Sequence, residues 1–88
     1  MAAKVGGEEI GRRGQEIYDR LRALLETEEN IGKIVSIDVE SGDYAIGDDL
    51  VAAGRRLQMR RPEARMYGKR IGDNAVYAVG GSLRRTAQ

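Results

Sequence analysis

The chain has 88 residues, of which 33% are charged and 41% hydrophobic, with a net charge of +1. That length makes a single domain that buries roughly 60–65% of its unfolded surface. Without Cys or His, disulfides, thiolate metal centres and the commonest general base are excluded. There is also no Phe or Trp, so Tyr18, Tyr44, Tyr67 and Tyr77 are the only large aromatic contributors to a core. A core this thin points to a homodimer, or to a subunit supported by a partner.

In chain order, Met1–Gly7 has no apolar run of signal-peptide type and no stretch reaches membrane-spanning length, so a cytoplasmic location is the default expectation. Glu8–Glu29 reads as a helix. Ile10, Ile17, Leu21, Leu24 and Leu25 form one apolar stripe bordered by Tyr18. Gly11 and Gly14 each weaken its first turns by about 1 kcal/mol relative to Ala, which places the start of its firm part near Gln15. Asn30 and Gly32 serve as stop signals.

Lys33–Glu40 alternates as a strand, with Val35, Ile37 and Val39 on one face and Ile34, Ser36 and Asp38 on the other. Ser41-Gly42 supplies a turn, and Asp43–Gly47 returns as a second strand. Asp48 or Asp49 is the N-cap of the next helix, Leu50–Arg61. Its Leu50, Ala53, Gly54 and Leu57 share a face small enough at its centre for close approach to a sheet. Pro62 ends it by excluding Arg61 from the α region. Ala64–Ile71 and Ala75–Val79 make a second hairpin around Gly72-Asp73-Asn74, followed by a polar, basic tail, Ser82–Gln88. Tyr44-Ala45-Ile46-Gly47 and Tyr77-Ala78-Val79-Gly80 echo each other, but only over the second strand of each hairpin, too little for a whole-unit repeat.

The expected fold class is therefore α+β: an N-terminal helix followed by β-β-α-β-β, with a four-stranded antiparallel sheet and the helices packed on it. The expected division is a flexible N-terminus at 1–11, a single domain at 12–81 and a flexible basic tail at 82–88.

The charge is segregated. Residues 1–54 carry six Lys/Arg against twelve Asp/Glu, and residues 55–88 carry nine against two, giving −6 and +7. Either the halves neutralise each other or the basic half meets an anionic partner. The basic half holds the candidate partner-binding set: Arg55, Arg56, Arg60 and Arg61 on the second helix, then Arg65, Tyr67 and Lys69 on one face of the following strand. Arg suits planar, bidentate contact to carboxylate or phosphate, and Tyr67 among cations has the form of a base-stacking residue. The near-zero net charge and the acidic half argue against nucleic acid, which stands as the alternative to a protein partner. Asp38, Glu40, Asp43, Asp48 and Asp49 are the only carboxylate cluster for an enzyme to use. Their spacing is not that of a calcium loop, and a solvent face, a turn and a helix cap explain them. Gly6-Gly7, Gly11, Gly14 and Gly80-Gly81 lack the strand–loop–helix context of a phosphate loop. No cofactor and no metal are expected.

Arg13-Gly14-Gln15-Glu16-Ile17-Tyr18, the run Gly32–Tyr44, Arg61-Pro62-Glu63-Ala64, Tyr67-Gly68 and Arg70-Ile71-Gly72 occur in this order. Over about Arg12–Gly81 the chain resembles a family of small uncharacterised bacterial α+β proteins of antitoxin-like or accessory-subunit type. It departs from that pattern at Asp73-Asn74-Ala75, where relatives place a proline and alanine after the glycine. The resemblance implies a partner of a neighbouring gene product and carries no functional residue with it. With the thin core, the absent catalytic chemistry and the segregated charges, the expectation is a non-enzymatic, dimeric interaction subunit.

Overall fold

The computed structural model describes residues 7–73 and 76–80 of the chain. Six elements follow one another: α1 (Gly7–Leu25), β1 (Ile34–Asp38), β2 (Tyr44–Gly47), α2 (Leu50–Arg60), β3 (Met66–Arg70) and β4 (Val76–Gly80). The strands are antiparallel in the order β2-β1-β3-β4. β1 is thus paired on both sides, with Val35 between Ile46 and Lys69, and Ile37 between Tyr44 and Tyr67.

Period-two alternation assigns the two faces. Val35, Ile37, Tyr67 and Ile71 pack with Ile10, Ile17, Tyr18 and Leu25 of α1. On the opposite face Ala45 and Met66 pack with Leu57 of α2 and with Ala64. The helices therefore cover opposite faces, which is why all five residues of β1 are buried. An alternating sequence that suggested one buried face has two.

The expected arrangement, helices packed on a four-stranded antiparallel sheet, is corrected in its layering: α1 and α2 sandwich the central strands between them. β1, β2 and β3, with the loop residues flanking them, supply the described sheet-side members of the two cores. β4 joins by backbone pairing along β3, with a register shift at Gly68/Lys69. α1 lies against β4 as well as β1 and β3, while α2 lies against β1, β2 and β3.

Two boundaries also differ from expectation. The α1 helix begins at Gly7, and Ile10 is only 2% exposed, so the expected flexible segment 1–11 is helical from residue 7 and contributes Ile10 to the core. It ends at Leu25, four residues early, because the chain turns through Thr27–Lys33. There the N–H groups of Asn30 and Ile31 both donate to the Thr27 carbonyl. Tyr18 anchors that turn. Its hydroxyl donates to Glu26 at 2.7 Å and accepts the Gly72 N–H at 3.1 Å, so the end of α1 is tied to the end of β3. Leu24, placed in the apolar stripe by spacing, is 60% exposed. The α2 helix stops at Arg60 with Arg61 as C-cap, in agreement with Pro62. The 82–88 tail lies outside the described residues.

Candidate functional site

The second helix positions the basic set. Asp49 caps it, accepting the Ala52 N–H at 2.8 Å. Its small face seats against β2, where a Cβ on Gly47 would lie 2.5 Å from the Ala53 nitrogen. With Ala53, Gly54 and Leu57 buried, the 100° helical step turns Val51, Arg55 and Met59 outward as an i, i+4, i+8 stripe. All three are exposed, Met59 at 83% and Val51 at 53%.

The other arginines are engaged by the protein's own acceptors. Arg56 donates to the Ile46 carbonyl at 2.6 Å. Arg60 donates to both carboxylate oxygens of Asp43, at 3.1 and 3.2 Å, and to the Tyr44 carbonyl. Arg61 reaches Asp43 at 3.3 Å, and Arg65 pairs with Glu40 at 3.3 Å. The hydrogen bonds from Arg60 hold the Asp43 carboxyl below its ordinary value and raise the Arg60 guanidinium. These contacts join the acidic half to the basic half, so the segregated charges of the sequence meet inside one molecule.

Two residues of the expected surface are not on it. Tyr67 is 2% exposed beneath α1, where its ring fills the space left by the missing side chain of Gly14, and its hydroxyl donates to Gln15 Oε1 at 2.7 Å. Burial pushes the Tyr67 hydroxyl up. Lys69 is 3% exposed, with its ammonium 4.8 Å from the centre of the Tyr18 ring and donating to the Asp73 carbonyl. Burial, reinforced by the Arg22 charge, lowers its pKa. The physical reason for the correction is the second covered face. The face carrying Tyr67 and Lys69 meets α1, while Arg65 stands outside the strand.

The carboxylates are also engaged. Asp38, 5% exposed, accepts the N–H of Glu40 at 3.2 Å and of Arg65 at 3.1 Å through one oxygen, and the Ser41 hydroxyl at 2.7 Å through the other. It locks the β1–β2 turn, where Gly42 adopts φ +82°, onto the segment entering β3. Asp48 pairs with Lys33 at 3.1 Å. An open cleft of about 410 Å³ lies between that turn and the end of α2, lined by Asp38, Glu40, Arg60, Arg61, Pro62 and Glu63 among others. Among the described residues no group of three or more acidic side chains is arranged to hold a metal ion. Nor is any helix among them long and apolar enough to cross a membrane.

Val51 and Met59 are the site residues that sequence reading missed. Their signal was present, since the wheel that buries Ala53 and Leu57 points positions 51, 55 and 59 away. Comparison with family models, with curated proteins and with solved structures finds no match to this chain.

Proposed function

We propose that this protein is a cytoplasmic, non-enzymatic interaction subunit, of antitoxin-like or accessory type, that binds another protein through the outer face of α2. The observation that supports this reading is the exposed Val51–Arg55–Met59 stripe on a helix whose opposite face is fully seated. Two apolar side chains flanking one cation suit a partner groove that offers apolar contact with a carboxylate. A second copy of the chain fits less well, because a twofold contact on this stripe sets Arg55 near Arg55. The alternative of a nucleic-acid-binding regulator draws less support, since Arg60, Arg61 and Arg65 are engaged by Asp43 and Glu40. The absence of catalysis is part of the proposal, supported by the structural hydrogen bonds that occupy Asp38 and Asp43.

The test is affinity capture from native lysate with the wild-type chain and with the Arg55→Glu/Met59→Asp double variant, each with and without nuclease. A stoichiometric protein that survives nuclease with the wild type and is lost with the variant, whose circular dichroism stays native, is the expected result. Equal capture by both chains overturns the surface. Recovery of nucleic acid alone, weakening steeply with salt, overturns the reading in favour of the alternative.

A further inference from the structure

Among the described residues the β2 strand ends the sheet on one side, and an unpaired edge is a template for a further strand. Its hydrogen-bond parity is fixed by the bond from the Asp38 N–H to the Asp43 carbonyl, 2.8 Å, together with the register Ile37↔Tyr44. In an antiparallel ladder this turns the backbone groups of Asp43, Ala45 and Gly47 towards β1, and those of Tyr44 and Ile46 towards the open edge. On that edge the Tyr44 N–H donates to the Asp43 carboxylate at 2.8 Å, the Tyr44 carbonyl accepts from Arg60, and the Ile46 carbonyl accepts from Arg56 at 2.6 Å. Asp43 in turn holds Arg60 through both of its oxygens.

These are the groups that an added strand would use. The segment Tyr44-Ala45-Ile46 is also its own complement. With a twofold axis at Ala45, Tyr44 of each copy stands opposite Ile46 of the other and both pairs exchange N–H and C=O, closing four hydrogen bonds between otherwise apolar residues. We propose that the β2 edge is a self-pairing interface kept shut by the clasp of Arg56, Arg60 and Asp43, and that its occupant when the clasp is removed is β2 of a second copy. Arg56 and Arg60 are on this account edge guards: two guanidinium groups cover the carbonyls that a strand would need, and their charges repel an identical edge.

The experiment compares the full chain with Arg56→Ala/Arg60→Ala, using Gln58→Ala as a control on the same helix, by sedimentation equilibrium and amide hydrogen exchange. Wild type and control sediment alike as monomers. The double variant shifts to a dimer, and its Ile46 amide exchanges about tenfold more slowly. A double variant that keeps native circular dichroism and remains monomeric overturns the proposal. So does a wild-type chain already dimerised with protected Tyr44 and Ile46 amides. Should the double variant not fold, Arg56→Ala and Arg60→Ala made singly each uncover one edge carbonyl and remove one repelling charge; if both single variants fold and stay monomeric at the highest concentration, the proposal is overturned equally. The Val51–Arg55–Met59 stripe is untouched by these changes, so failure here is distinguishable from failure of the proposed partner surface.

Discussion

At Gly14, α1 crosses β3 so closely that a Cβ would stand 2.1 Å from Tyr67 Cγ and 2.5 Å from its Cβ. Neither neighbour is free to yield. Tyr67 is buried, and its hydroxyl is fastened to Gln15 one residue along the same helix. Ala is the better helix former by about 1 kcal/mol, so an exposed Gly14→Ala change would stabilise the chain. Here overpacking opposes that gain and exceeds it, because α1 must lift from the sheet or Tyr67 must leave its rotamer. Gly14→Ala is expected to lower the unfolding free energy by about 2 kcal/mol, whereas Gly11→Ala, with open space around it, raises it by up to about 1 kcal/mol. Urea denaturation of the two variants side by side separates a packing glycine from a merely permissive one.

At the scale of elements, what sequence can show is periodicity within a segment, and what it hides is which segment covers which. The two hairpins, the second helix and its stop at Pro62 were legible because Gly42, an Asp cap and a proline act locally. The end of α1 was not: Glu26 and Thr27 are compatible with a helix, and only the tertiary bonds of Tyr18 to Glu26 and Gly72 turn the chain there. Tyr67 and Lys69 were misplaced for a related reason. Alternation showed them on one face of a strand, but α1 on one side of the sheet and α2 on the other bury both faces. The arginines were legible as a cluster, whereas their acceptors, Asp43 and the carbonyls of β2, lie ten to eighteen residues away. The N-cap shows the same limit in miniature. Sequence left Asp48 and Asp49 equivalent, and the structure gives the cap to Asp49 while Asp48 sits exposed beside Lys33. Asp49→Ala is expected to cost about 1 kcal/mol and Asp48→Ala less than about 0.5 kcal/mol. Thermal unfolding of the pair checks this, and equal losses would mean that the cap alternates between them.

Across the whole molecule, the charge asymmetry makes stability depend on acid in a specific way. Asp43 links the acidic and basic halves, accepting from Arg60, Arg61 and its neighbour's N–H. Its folded pKa lies below the ordinary value of 3.8, chiefly through Arg60. A carboxyl depressed on folding contributes stability that is fully present above its unfolded pKa and is lost as pH falls through the folded one. Glu9, held down by Arg12 and Arg13, and Asp19, held down by Arg22, follow the same sign on the surface of α1. As these groups protonate, the guanidinium groups remain charged and the molecule is left with an excess of cations that repel one another. The urea midpoint is therefore expected to be level from pH 7 to about pH 5 and to decline below about pH 4. In Asp43→Asn the midpoint at pH 7 is lower and the acid decline shallower, because the amide cannot be protonated in this range and its share of the linkage is already gone. An acid limb of unchanged steepness in that variant would show that the contact between the halves carries none of the pH dependence and that the pairs along α1 carry it instead.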